Sequence, residues 1–374
     1  MYQRAEARID TGALRHNVSA LRALVAEGVE LCPVLKADGY GHNAVHAAKA
    51  VTEAGVDRIA IATVREAIRI QEVAPRTPLL ILGAMAPTEV DLAVDAGIDV
   101  SAWEPGFIEA LGARAQAAAK TIAVHVKYDT GMGRLGSVDP ALVIEMARAV
   151  DAHPSLRLEA VWTHFATADE PDRAFEIAQR DRLAGLGARI REEFPGIKLH
   201  AANSAALISD PESHFDLVRP GVAIYGMDPF GVDPDDHGLR PALSLHSYVA
   251  SIKHFEPGMS AGYGRTWIAE RPTRLVTVPV GYGDGVRRGL SNRGQVLIGG
   301  VARPITGTIS MDNLTAEIGL DDEIEVGDEV TLIGTQGPAR ITAEQVAARL
   351  DTINYEVTCG ISPRVPRLGV GEPG

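Results

Sequence analysis

A (β/α)8 barrel of the TIM type followed by a mostly β C-terminal domain is the α/β fold that this 374-residue sequence predicts. Three observations carry the prediction. Eight short apolar runs, each followed by a helical stretch or a turn, fill about the first 225 residues. The grain changes between Pro229 and Pro241, where FGVDPDDHGLRP is rich in Gly, Pro and Asp and reads as a linker. Beyond it, strand-like runs with turn signals replace the alternation. The expected division is a barrel over residues 1–235 and a β domain over 236–374, with residues 1–10 available to pair with the latter.

In chain order, residues 1–8 read as an extended arm. A helix opens at Asp10 or Thr11, with its apolar stripe at Leu14, Val18, Leu21 and Leu24. The apolar runs are Leu31–Leu35, Ile59–Ala62, Leu79–Leu82, Ile98–Ala102, Ile122–Val126, Leu158–Trp162, Lys198–Ala202 and Leu217–Tyr225. The helical stretches between them are Ala44–Glu53, Val64–Glu72, Thr88–Ala96, Pro105–Ala118, Pro140–Ala152, Arg173–Glu193 and Ser204–Ile208. A doubly wound open sheet is the competing topology, and the count of eight favours the barrel. In the second domain, strands are expected at Leu243–His254, Arg274–Val280, Gln295–Ile298, Ala302–Ile309 and Glu329–Ile333. Only Ala343–Leu350, capped by Thr342, reads as helical there.

A net charge of −13 and the lack of any Lys/Arg run argue against a nucleic-acid partner and an anionic membrane surface. No apolar run approaches the roughly 20 residues that span a bilayer. MYQRAEARID has no apolar stretch of the signal-peptide kind, so the expected location is the cytoplasm. Cys32 and Cys359 both sit in apolar contexts and read as small core residues in a reducing compartment.

Barrel active sites form at the C-terminal ends of the strands. The first run ends in Lys36. A lysine there reads as a nucleophile or base activated by desolvation, against the alternative that it snorkels to solvent. Tyr40 lies in the same loop. The fifth run ends in KYDTGMGRLG, with Lys127, Asp129 and Arg134, and the sixth in WTHFATAD, with His164 and Asp169. The seventh supplies Asn203 and Ser204, the eighth Arg219, Gly221 and Val222. Polar residues from five strands thus collect at one end. Ser204 opens a helix and Gly221 allows close backbone approach, an arrangement suited to a phosphate, although Asn203 also reads as a plain helix cap. A lysine, a phosphate pocket and no Gly-rich nucleotide loop make pyridoxal 5'-phosphate the natural candidate cofactor. No metal site is expected.

Nine motifs in order, VLKADGYGH, KYDTGMGRLG, THFATAD, HAANSAA, RPGVAIYG, SAGYGRTW, VPVGYGDG, ISMDN and INYEVTCGISPRVPR, cover nearly the whole chain. In these the sequence resembles the bacterial alanine racemases, pyridoxal phosphate enzymes with a barrel and a β domain. The resemblance implies that Lys36 holds the cofactor as a Schiff base and serves as one catalytic base. Tyr263 would be the second base, contributed by the other subunit of a homodimer with shared active sites. Tyr40, Tyr355, Ser204, Gly221 and Val222 would contact the phosphate, with Asn203 beside it. Arg219 would face the pyridine nitrogen, with His164 against the ring and connected to Arg219. Arg134, Met311 and Asp312 would hold the carboxylate end of the substrate. Tyr282 would line the entry channel. Lys127 matches a lysine carbamylated in some members. Thr308 stands where many members have arginine, and Asn313 is also less typical; both bear on the channel and substrate range.

The activity this implies is interconversion of L- and D-alanine, supplying D-alanine for peptidoglycan. The alternative is a racemase of serine, basic or a broader range of amino acids. A decarboxylase on the same fold is disfavoured by KADGYGH and SAGYGRTW. A cofactor-carrying binding protein is disfavoured by residues 240–374. Two bases on opposite faces of a planar intermediate are what racemisation demands in any case.

Overall fold

The strand at Ile122–Lys127 is buried at every position, which is the signature of a parallel strand covered on both faces. It is the fifth of eight parallel strands, Glu30–Leu31, Ile59–Ile61, Leu79–Ile81, Asp99–Ala102, Ile122–Lys127, Leu156–Trp162, Lys198–His200 and Leu217–Val218. These belong to a computed structural model that describes residues 4–371. From the second strand onward each pairs with the next in sequence, and Leu217–Val218 returns to Glu30–Leu31. A bridge between Val34 and Ala60, with Leu35 N–H donating to the Ala60 carbonyl at 2.8 Å, joins the first strand to the second. The expected barrel is therefore present, its helices on the sequence-predicted stretches within one or two residues at either end.

Local chemistry explains those helix ends. Asp10 Oδ1 accepts from the N–H of Ala13, so Asp10 caps the first helix, Thr11–Arg22. Thr63 and Glu66 form a capping box at Val64–Gln71, and Asp139 caps Pro140–Asp151.

The N-terminal ends of the strands carry a paired ionic floor. Buried Arg58 bonds to Asp99 and, at 3.1 Å, to Glu159. Lys198 reaches Glu30 at 2.5 Å and Glu159 at 2.9 Å, and Arg157 also pairs with Glu159.

The chain divides into two compact units. One comprises Arg15–Gly39 and Ala47–Ile224 and holds the barrel strands. The other takes in the described part of Met1–Leu14, Tyr40–His46 and Tyr225–Gly374. Its main sheet has seven strands, and Glu6–Asp10 lies within it, antiparallel to Leu243–Tyr248 and parallel to Arg367–Val370. Of the expected arm, residues 1–3 lie outside the described residues.

Several expectations need correction. The run Leu217–Tyr225 is strand only at Leu217–Val218; Pro220 has no N–H for the ladder, and Val222–Tyr225 winds into a 3-10 turn. Leu243–His254 is two strands, Leu243–Tyr248 and Ser251–Phe255. Ala302–Ile309 is strand only at Val301–Pro304, and Leu314–Ile318 is a strand in its own right. A second helix, Asn354–Cys359, follows Ala343–Leu350. Cys32 is buried as expected, but Cys359 is exposed, because that short helix buries Asn354, Val357 and Thr358 instead. Among the described residues no helix is long and apolar enough to cross a membrane.

Candidate active site

Lys36 lies beyond the first strand, two residues after the Val34 bridge, so the expected run Leu31–Leu35 is regular strand only at its start. Leu35 is fully buried and Lys36 is exposed, so the chain by itself does not desolvate the lysine as expected. The backbone then does something rare. Ala37, Asp38, Gly39 and Tyr40 all have left-handed φ, between 52° and 67°. Within the barrel unit this turn is held by the helix Val64–Gln71. Glu66 Oε1 accepts from the Ala37 N–H at 2.7 Å, while its Oε2 accepts from Ala62 and Thr63. Arg69 pairs with Asp38 at 3.0 Å.

The fifth strand brings in Lys127, whose side chain lies over the Trp162 ring, Nζ 3.5 Å from its centroid. Nζ is buried without a hydrogen-bond partner among the described residues. Burial first, then Arg219 and Arg134, pushes the amine well below its ordinary range and so favours its neutral form. Gly136 makes room for it: a Cβ there would stand 2.5 Å from Lys127 Cγ. Asp129 shapes the loop beyond by accepting from the N–H groups of Gly131, Gly133 and Arg134 at 2.9–3.1 Å. Those bonds hold its carboxyl below the usual range despite some burial. Arg134 itself is exposed.

Arg219 is the organising cation. It is 2% exposed, and its guanidinium donates to the carbonyls of Thr163 and Ala201, both at 2.8 Å. It also donates to Nδ1 of His200 at 2.7 Å and to Nδ1 of His164 at 3.3 Å. Nε has no partner among the described residues. Burial lowers Arg219 to about 10. His164 is lowered well below its ordinary value by burial, then by Arg219, Lys127, Arg134 and Lys36. Lys36, Lys127, Arg134 and Arg219 are thus each close enough to act on His164.

On the neighbouring strands, Ser204 Oγ accepts from the N–H of Gly221 at 2.9 Å and of Ala223 at 3.2 Å. Both acceptor positions of the hydroxyl are used, and its O–H remains to donate. Asn203 caps the helix Ser204–Ser209 by accepting from Ala206. Val222 is fully buried.

The other unit carries the remaining sequence-predicted residues. Tyr40 and Tyr355 pack ring to ring at 5.9 Å. Burial, then Tyr355 and Cys359, raises the Tyr40 phenol, so it is a hydrogen-bond donor. Gly41 is obligatory: a Cβ would stand 2.2 Å from the Thr358 carbonyl oxygen. Tyr282 and Met311 share one loop pair, Tyr282 N–H donating to Ser310 and Gly283 N–H to the Met311 carbonyl. Asp312 is paired with Arg364 at 2.7 Å and with Arg4 at 3.6 Å. Tyr263 is 72% exposed, and its carbonyl accepts from Thr308 Oγ1 at 2.8 Å. A cavity of about 640 Å³ in this unit is lined in part by Arg8, His246 and Arg340, and by none of the sequence-predicted site residues.

Reading the sequence missed His200, His125, Trp162 and Glu66. A usable signal was present: His125 stands two residues before Lys127, on the same face of a buried strand.

Comparison with known proteins shows the family. The model for the alanine racemase N-terminal domain matches residues 9–229, and that for the C-terminal domain matches residues 242–369. This chain belongs to the alanine racemase family. It is therefore an isomerase of that family. A relative named alanine racemase from Symbiobacterium thermophilum is 40% identical over 373 residues, covering 98% of this chain and 97% of that one. The solved alanine racemase of Streptomyces coelicolor superposes with a TM-score of 0.92 at 37% identity, covering 98% of each chain. That of Bacillus anthracis, solved with bound L-Ala-P, has a TM-score of 0.90 at 32% identity, covering 100% of this chain and 97% of that one.

Proposed function

We propose that the chain interconverts L- and D-alanine in the cytoplasm with pyridoxal 5'-phosphate as cofactor, using two bases at a site shared within a homodimer and supplying D-alanine for peptidoglycan. The observation that carries this reading is the buried Arg219 guanidinium with its unpartnered Nε–H. Such a group only donates, so it suits an unprotonated ring nitrogen and will not protonate it. The other residues fit the cofactor too. Lys36 offers the amine that links to it, and His164 lies beside Arg219. Ser204 has an O–H to give a phosphate, with Gly221, Val222 and Asn203 around it, and Tyr40 and Tyr355 offer phenols. When bound, pyridoxal phosphate withdraws electron density from the α-carbon of an attached amino acid and so acidifies its proton.

The chain's residues do the rest. The Lys36 amine takes or returns that proton on one face. Tyr263 of a second copy does so on the other, and its exposure leaves the phenol available to that copy. Arg134 and the Met311-Asp312 pair hold the substrate carboxylate end, and Tyr282 lines the entry. Because Arg219 keeps its proton, the electron sink stays weak, which limits side reactions such as transamination; Arg219→Glu should increase them. Lys127 is a candidate for carbamylation, since burial favours the neutral amine, which can add carbon dioxide and lose a proton, giving a carbamate able to pair with Arg134. The domains we assign to these roles are 1–235 and 236–374, a division supported by family models ending at 229 and beginning at 242.

The test is a chiral assay with L-alanine, L-serine and L-lysine. Alanine is expected to be preferred, and Lys36→Ala and Tyr263→Phe to abolish turnover. Full activity in both variants would overturn the two-base reading; preference for serine or lysine would move the substrate to the alternative range.

A further inference from the structure

Beneath Arg219 lies a second histidine that the reaction as described does not use. His125 Nδ1 is 2.9 Å from His200 Nε2, and both rings are fully buried. The direction of these bonds is fixed by chemistry. Arginine has no acceptor and donates to His200 Nδ1, so that nitrogen carries no proton. His200 must then be protonated at Nε2, which donates to His125. His125 Nδ1 must therefore be the acceptor, and its proton sits on Nε2. A single donor-only group sets the tautomers of two rings in series.

The geometry is restrained from several sides. The His200 ring is stacked on Trp162 at 5.5 Å with 4° between planes. The two imidazoles meet edge to face at 76°. Burial, with Arg219 close by both, keeps the two rings neutral; Arg58, Lys198 and Arg157 add to this at His125. Neutrality matters, because a proton on His200 Nδ1 would face the guanidinium N–H.

A purely packing role gives no reason for histidine here. His125 Nε2 has no hydrogen-bond partner among the described residues, and neither has the hydroxyl of Ser101, which stands level with it on the adjacent strand. A leucine would fill that interior without burying an unsatisfied N–H.

We propose that His125 is a positioning residue for Arg219: acting through His200, it holds the guanidinium so that Nε–H keeps its aim at the cofactor ring. This rests on the functional reading above only in what Nε–H points to. The tautomer chain stands on the geometry alone. Losing the His125 acceptor leaves the His200 Nε2–H unsatisfied and frees the ring to turn on Trp162, and Arg219 turns with it.

The decisive measurement is nitrogen NMR of histidine-labelled protein without substrate, with the His200 signals assigned through His200→Phe. His200 is expected to be protonated at Nε2 and bare at Nδ1. A protonated Nδ1 at neutral pH would overturn the proposal. Kinetics of the cofactor-loaded enzyme supply a second arm. In His125→Leu, kcat should fall about tenfold with KM within about twofold, the loss expected for one buried hydrogen bond. In His125→Asn the amide oxygen would sit near the position of Nδ1 and accept in its place. H125N should therefore retain most of kcat while losing similar thermal stability. Equal kinetic loss in both variants would mean packing alone and sink the idea. Should H125L fail to fold, the NMR result and H125N still decide. A wild-type chain that racemises nothing, yet shows the expected tautomers, would fail the functional reading and leave the positioning chain intact.

Discussion

The two ends of the barrel use the same residue types to opposite effect. At the N-terminal ends of the strands every cation has a carboxylate: Arg58 with Asp99 and Glu159, Lys198 with Glu30 and Glu159. At the C-terminal ends Arg219 and Lys127 have no carboxylate within ion-pairing distance among the described residues, and each keeps a buried nitrogen without a partner. Arg58, Lys127 and Arg219 are all buried, so the difference lies in what neutralises the charge. The floor neutralises it internally and serves stability. Arg58 Nε in the floor also makes no hydrogen bond among the described residues, but it lies 3.8 Å from the Glu30 carboxylate, whereas the unpartnered donors of the mouth have no such charge beside them, which costs stability and reserves those atoms for something that binds.

That contrast can be broken from either side. The largest effect is expected at Lys36: Lys36→Ala should lower turnover at least ~10³-fold, as removal of a covalent nucleophile does, while the unfolding midpoint in urea stays put. Arg58→Leu should do the reverse. It strands Asp99, while Glu159 keeps Lys198 and Arg157, and should cost about 3 kcal/mol in urea unfolding, with KM for alanine unchanged in the protein that remains folded. Smaller, and of opposite sign, is Lys127→Met. Replacing an unpartnered buried amine by an apolar isostere should stabilise the fold by roughly 1 kcal/mol. Stability measured across pH gives the sign. The folded amine lies below its ordinary value of 10.5, so the unfolded chain binds the extra proton throughout the interval between them. Wild-type stability therefore rises with pH through that interval, and the advantage of the Met variant should shrink toward pH 10.5. An advantage independent of pH would show that Lys127 is not held neutral.

The smallest effect concerns three histidines, His125 and His200 fully buried and His164 half-buried. His125, His164 and His200 all lie well below the ordinary 6.5. As pH falls through 6.5, the unfolded chain takes up protons that the folded chain refuses, so stability is lost below that value. Up to three protons should be taken up on acid unfolding from these rings, and H125N should remove one of them. A flat stability profile from neutral pH down through 6.5 would contradict the buried neutral state.

How much of this was legible in the sequence depended on the range of the interactions. The barrel was legible because Ile122–Lys127 and its companions are continuous apolar runs at regular intervals. Lys36, His164, Ser204 and Arg219 were legible because each follows such a run at a strand end. His200 and His125 were hidden because a histidine inside an apolar run looks like any buried residue until the register of two strands brings the rings together. Glu66 was hidden because one of its oxygens caps its own helix while the other holds Ala37, 29 residues away in sequence. The short strands of the β unit were blurred for the same reason, since pairing rather than local pattern decides where Val301–Pro304 ends.

The left-handed turn after Lys36 has a consequence for anyone who would improve this protein. Ala37, Asp38 and Tyr40 each occupy a backbone region that costs an L-residue about 1–2 kcal/mol and a glycine almost nothing. A selection for thermal tolerance would therefore be rewarded for drifting toward glycine at 37 and 38. Relief of strain would stabilise the fold, less so at 38, where the pair with Arg69 would be lost, while the segment that aims the lysine lost its stiffness. A library screened for heat resistance alone would thus enrich variants that fold better and turn over less, and the trade would be written in a pair of neighbouring codons.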